Sequence, residues 1–156
     1  MKIIAHRGNL NGPNPHFENN PIYLDIALDA NFDIEIDVWK IFDSWYLGHD
    51  EPQYLVPFNW FKKRQSLIWI HCKNYESLEY FNQLNNNNFN YFWHETDNFT
   101  LTSKGFVWTY PKIKLMENSI CVLPEKGYVG KIEKCYAVCT DFAKKVNAGK
   151  YVDLLD

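Results

Sequence analysis

Apolar residues fall along this chain in short bursts rather than long stripes. Lys2–Ala5, Phe32–Trp39, Leu67–Cys72, Tyr91–His94, Gly105–Thr109, Ser119–Leu123 and Cys135–Cys139 are rich in Ile, Val, Phe, Trp or Tyr. Gly, Pro, Asn or Asp bounds them, and β-branched and aromatic side chains suit a pleated, half-buried surface, so the pattern predicts seven strands. Helical periodicity is concentrated in the first half. Asn20 can cap, and Pro21 can open, a helix ending near Ala30, with Ile22, Ile26, Ala27 and Ala30 on its packing face. A second helix is expected after Asn74, packing through Leu78, Phe81 and Leu84 and stopping at the polar loop Asn85–Asn88. Tyr54–Lys63 reads as one irregular helix broken by Pro57, and Ala143–Ala148 as a short terminal helix.

Strand, helix, strand in repeating order argues for a parallel sheet with right-handed crossovers. Beyond residue 97 the spacers are too short for full helices. The expected fold class is therefore α/β: a reduced (β/α) TIM-type barrel with several outer helices missing, spanning residues 1–156 as a single domain. An open doubly wound sheet is the second choice.

Composition narrows the picture. In 156 residues, 46% hydrophobic and 17% aromatic, there is material for one real core. A net charge of −3 with no long basic run argues against nucleic acid or an anionic membrane surface as partner. The start, Met1-Lys2-Ile3-Ile4-Ala5-His6-Arg7, has no signal-peptide character, and no apolar stretch approaches bilayer length, so a soluble, cytoplasmic chain without a transmembrane segment is expected. Cys72, Cys121, Cys135 and Cys139 make neither a disulfide framework nor a paired zinc motif, and buried thiols are the simpler reading. Dense aromatics over a thin outer layer leave room for a homodimer that covers a bare barrel face.

Chemistry enters at the second strand, Asp33-Ile34-Glu35-Ile36-Asp37-Val38. Glu35 and Asp37 are two apart, so both carboxylates leave one face while Ile34, Ile36 and Val38 leave the other. Two like charges sharing a desolvated face need a counter-charge, and a hard divalent cation supplies one. The third strand repeats the device with His71 and Lys73. An edge strand with solvated acids, or a satisfied core histidine, would explain either strand alone; two adjacent strands with apolar flanks favour convergence on a site. Lys73 in such a setting wants an anion, a carboxylate or a phosphate. His6-Arg7-Gly8 ends the first strand, where barrel enzymes place catalytic groups, and Arg7 offers a planar fork to phosphate. Leu47-Gly48-His49-Asp50 returns a second imidazole after a short excursion. Two histidines flanking a phosphodiester can divide proton removal and proton donation.

His6-Arg7-Gly8, Glu18-Asn19, Glu35-Ile36-Asp37-Val38 and Gly48-His49-Asp50, in this order, resemble the signature of the glycerophosphodiester phosphodiesterases. These belong to the phospholipase C-like phosphodiesterase superfamily. Cys139-Thr140-Asp141 is similar to the family's Thr-Asp at its last strand, and Trp108-Thr109 to its late Trp-Thr. The resemblance implies His6 and His49 as the acid–base pair, Glu35 and Asp37 as metal ligands, and Arg7 and Lys73 against the phosphate. Glu18 would hold Arg7 or sit beside the metal, and Trp108 would wall the substrate pocket. His71 stands where the family has an acidic third ligand. One divalent cation is implied, Mg²⁺ or Ca²⁺ by resemblance, with Mn²⁺, Fe²⁺ or Zn²⁺ favoured if His71 ligates. Glu95 is a substitute ligand, Glu125 a further polar candidate, and His94 shares a face with Phe92 that can bring it to the site. The implied activity is cleavage of a small glycerophosphodiester-like substrate of lipid metabolism, possible through a cyclic phosphate. The competing class is a degenerate barrel that binds phosphate without turnover.

Overall fold

The computed structural model describes residues 1–84, 88–128 and 132–149. The expected Asn85–Asn88 loop thus lies largely outside the described residues. Seven strands run parallel to one another: β1 (Lys2–His6), β2 (Asp33–Ile41), β5 (Ile68–Cys72), β6 (Asn90–Phe92), β8 (Val107–Thr109), β9 (Ser119–Val122) and β10 (Ala137–Thr140). They lie in the order β6-β5-β2-β1-β10-β9-β8. Three further strands are antiparallel to their neighbours. β3 (Ser44–Leu47) folds back on the distal half of β2, β4 (Tyr54–Val56) pairs with β3, and β7 (Phe99–Leu101) pairs with β8.

The TIM-type barrel is therefore overturned. Among the described residues, ten strands form one curled, mixed sheet, a half-barrel, against four short α-helices. Helix α1 spans Pro21–Asp29, α2 Phe58–Lys62, α3 Tyr75–Gln83 and α4 Ala143–Asn147. The physical reason is spacer length: the links between parallel strands after residue 97 hold a β-strand, irregular turns or 3-10 turns where a barrel needs a crossover helix. An open doubly wound sheet fits no better. All four helices feed one hydrophobic cluster, through Leu24 and Ala27, Phe61, Phe81 and Ala143, rather than covering both faces.

The helix starts follow local chemistry. Asn20 Oδ1 accepts from the backbone N–H of Ile22 at 2.9 Å, and Asn74 Oδ1 from that of Ser77 at 3.3 Å, satisfying N–H groups that a helix start leaves unpaired. The expected packing face of α1 is corrected in part. Ala27 is buried and Ala30 packs against the core as expected, but Ile22 and Ile26 are exposed and Leu24 turns inward in their place. The Tyr54–Lys63 helix is also corrected: Tyr54–Val56 is a strand, and Pro57 stands extended before α2 instead of breaking a helix. Outside the sheet, Trp45, Phe58, Phe61, Tyr80, Phe81 and Phe89 meet ring to ring, with centroid separations such as 4.8 Å for Trp45–Tyr80 and 5.2 Å for Phe81–Phe89. This cluster holds the β3–β4 arm against α2 and α3, so it also fixes where the arm delivers His49. All four cysteines are buried and free. Among the described residues no helix is long and apolar enough to cross a membrane.

Phe81 is fully buried at the centre of the outer cluster. Phe81→Ala is expected to lower the unfolding free energy by about 3–5 kcal/mol in urea denaturation. Ile22→Ala, on the exposed side of α1, should change it by no more than about 0.5 kcal/mol.

Candidate functional site

The inner face of the curl is built in layers. Ile4, Trp69, Phe92, Trp108 and Cys139 belong to one apolar cluster inside it. Two residues further along each of those five chain segments stand His6, His71, His94, Tyr110 and Asp141. Period-two alternation keeps each pair on one face, so the apolar layer carries a polar layer above it at the C-terminal strand ends. The parallel register sets His6 beside Glu35 and Asp37 beside His71.

His6, Arg7, Glu35, His49, His71, His94, Trp108 and Tyr110 line a common cavity of about 340 Å³, with Lys126 at its exposed rim. A neighbouring cleft adds Lys73, Trp93 and Glu95 beside His49, His71 and His94. Glu18 lines a third recess with Arg7, Asn19 and His49. Glu125 is turned away to structural work: it accepts from the Thr140 hydroxyl at 3.0 Å and the Asp141 backbone N–H at 2.8 Å.

His6 is held firmly. Its Nδ1 lies 2.7 Å from Asp141 Oδ1, and Asn9 donates to that same oxygen at 2.8 Å. The second imidazole nitrogen, Nε2, lies 3.9 Å from Glu35. Burial lowers the affinity of His6 for a proton, but the Asp141 hydrogen bond and the Glu35 charge outweigh it, and its pKa is raised. His49 is placed by Gly48, whose φ of 150° and close approach to the Glu51 carbonyl leave no room for a side chain: a Cβ there would sit 2.1 Å from that oxygen. Its Nδ1 lies 2.7 Å from Asp50. Partial burial, with Arg7 and Lys73 nearby, holds the pKa of His49 below its usual value against the opposing pull of Asp37.

Arg7 takes the left-handed backbone conformation, φ 51°. Its guanidinium donates to Glu18 at 3.1 Å, and its Nε lies 3.0 Å from Asp37 Oδ2, a charge contact not aligned as a hydrogen bond. Asp37, with no exposed surface, also meets His71 Nδ1 at 2.9 Å, Lys73 at 3.8 Å and the Asn19 amide at 2.9 Å. Asn19 accepts the Asp37 backbone N–H in return, at 2.9 Å. Burial alone would raise the pKa of Asp37; His71, Arg7 and Lys73 together hold it well below the usual carboxylate range.

Glu35 is treated differently. Among the described residues its carboxylate accepts one hydrogen bond, from the Arg7 backbone N–H at 3.3 Å. Burial and the Asp37 charge push its pKa up. Glu35, Asp37 and His71 can each turn a ligand atom to within 4.8 Å of the others, the donor set of a divalent cation. The His71 ring lies near-parallel to those of Phe92, at 5.2 Å, and His94, at 4.5 Å, which are 6.0 Å from each other. His94 in turn hydrogen-bonds the Tyr110 hydroxyl, and burial together with the His71 charge lowers its pKa to about 4.

Sequence reasoning thus named most of the groups that line the cavity. It missed Asn9, Asn19 as a ligand of Asp37, Tyr110 and Lys126, and it did not pair Asp141 with His6. The signal for Asn19 was its place beside Glu18; for Tyr110, it was the inward alternation from Trp108. No family model matches the chain, and neither a curated protein nor a solved structure matches it.

The raised pKa of Glu35 has a measurable sign. In the unfolded chain the carboxyl ionises near its ordinary 4.5, whereas the folded protein keeps the proton to higher pH. As pH rises through that interval the unfolded state loses its proton first, so wild type loses stability. Glu35→Gln carries no such titration. In EDTA at neutral pH it is expected to melt at or above the wild-type temperature; a lower melting temperature would show Glu35 to be well compensated as an anion.

Proposed function

We propose that the chain is a divalent-cation-dependent phosphodiesterase of the glycerophosphodiester phosphodiesterase type, on a half-barrel rather than a full barrel. The observation that carries this reading is that His6 and His49, from separate segments, line one cavity with Glu35, Arg7 and His71. Each imidazole has a carboxylate on its Nδ1, which fixes its orientation and leaves Nε2 for proton transfer. Glu35, Asp37 and His71 would hold the cation, Mg²⁺ or Ca²⁺ by resemblance and Mn²⁺, Fe²⁺ or Zn²⁺ by the presence of an imidazole. When bound, the ion supplies charge stabilisation to the phosphoryl oxygens.

The opposed pKa directions favour one division of roles. His49, shifted toward the neutral form, takes the proton from a neighbouring hydroxyl of the substrate as it attacks phosphorus. His6, shifted toward the protonated form by Asp141 and Glu35, gives its proton to the departing alkoxide. The products are an alcohol and a cyclic phosphate, which water opens with the two roles reversed. Arg7 and Lys73 lie at the cavity and its adjoining cleft, where they offset negative charge on the phosphate. Both already neutralise Asp37, so their contribution to substrate is shared with the protein. The setting we infer is a soluble, cytoplasmic enzyme acting on a phosphodiester of lipid metabolism.

One observation favours a second reading, a phosphate-binding module without turnover. Asp37 is fully engaged by Arg7, His71, Lys73 and Asn19 before any cation arrives. Cleavage of glycerophosphocholine, a diester with a hydroxyl beside the phosphate and an alkoxide leaving group, separates the two when choline release is followed. The enzyme reading predicts turnover that EDTA removes and a divalent ion restores, with His6→Ala and His49→Ala each lowering kcat by about a hundredfold or more. Turnover untouched by both substitutions would end the proposed mechanism. Phosphate binding with no turnover would select the module.

A further inference from the structure

On the outer side of β7 and β8 lies a groove of about 540 Å³, walled by Trp93, Phe99, Leu101, Val107, Ile113 and Met116. In the antiparallel register Phe99 faces Thr109 and Leu101 faces Val107, so the groove floor is one face of this strand pair. Four of its walls are exposed large apolar side chains: Trp93 at 45%, Phe99 at 59%, Leu101 at 68% and Met116 at 53%. A contiguous apolar surface of this kind marks a binding site more often than scattered single residues do.

What tells its occupant is its connection to the cation site. Trp93 lines both this groove and the cleft that holds His49, His71 and Lys73. His49 and His71 in turn line the central cavity with His6 and Glu35. Alternation along the chain separates the two environments within a residue: Trp93 and Thr109 face the groove, His94 and Tyr110 face the cavity and hydrogen-bond each other. The imidazole-lined cleft and the apolar groove thus adjoin at one tryptophan ring. That is the shape of an amphipathic anion.

The geometry points to a substrate that is a phosphodiester bearing a single long alkyl or acyl chain, with its phosphate at His6 and His49 and its chain in the groove past Trp93. This deepens the phosphodiesterase reading and rests on it for the placement of the phosphate. The chain gains by leaving water against Phe99, Leu101, Val107 and Met116. A short, water-soluble diester fills only the polar end.

The probes are methyl 4-nitrophenyl phosphate and decyl 4-nitrophenyl phosphate, both kept below micelle formation. Binding of both is measured by calorimetry in EDTA, and turnover of glycerophosphocholine in a divalent cation. Binding of the decyl diester is expected to be tighter by about a hundredfold, the worth of a few buried methylenes. That ratio should collapse in Leu101→Glu and Phe99→Glu and persist in Ile22→Glu, an exposed position on α1. Equal affinities, or a ratio that survives both groove substitutions, would overturn the inference. So would a chain-independent affinity accompanied by a dimer in sedimentation velocity that Leu101→Glu dissociates, since a second copy would then own the groove. Failure of glycerophosphocholine, which carries the neighbouring hydroxyl these two diesters lack, to release choline would instead count against the phosphodiesterase reading, and the binding ratio would still decide the groove.

Discussion

Asp37 is an ionised carboxylate with no contact to solvent, and the site is organised around keeping it so. Burying such a charge costs several kcal/mol unless the surroundings replace its hydration. Here the replacement comes from three chain segments: Arg7 after β1, the Asn19 amide just before α1, and His71 with Lys73 on and just after β5. Each would be less well placed without the others. Arg7 is held in a left-handed turn with its backbone N–H on the Glu35 carbonyl at 3.1 Å. Asn19, also left-handed, closes a reciprocal pair with the Asp37 backbone. Removing the carboxylate would take from Lys73 its ion-pair partner and leave Arg7 with Glu18 alone.

Its neighbour Glu35 is given almost none of this. The two carboxylates leave the same face of β2, yet one sits amid cations and the other has a raised pKa. Environments that push two like groups apart are how a site obtains different chemistry from the same residue type. The same holds for the imidazoles. His6 is pulled toward the charged form by Asp141, and His49 is held toward the neutral form. A polar layer with these opposed tendencies, set on the apolar layer of Ile4, Trp69, Phe92 and Trp108, is what the curled sheet provides.

Much of that layer is legible in the sequence because it follows period-two alternation in strands with strong β character. All seven parallel strands begin and end within a few residues of the apolar bursts, and the caps of α1 and α3 follow from Asn20 and Asn74. The architecture was not legible in the same way. β3, β4 and β7 lie toward the margins of the sheet with alternating or exposed residues rather than a buried apolar run, and they turn an expected ring of strand–helix units into a curled mixed sheet. The packing face of α1 was misjudged at Ile22 and Ile26, because Leu24 competes with them on an apolar helix and only the sheet decides between them. The His6–Asp141 pair joins residues 135 apart, and the adjacency of β1 and β10 that creates it is a property of topology.

Glu35, Asp37 and His71 are proposed to hold one cation between the two imidazoles. Anomalous diffraction from crystals soaked in Mn²⁺ addresses this directly. A single strong peak touching side-chain atoms of all three residues, on the cavity side that His6 and His49 share, is expected. A peak elsewhere, or none at saturating Mn²⁺ with Arg7 and Lys73 still closed on Asp37, would contradict it.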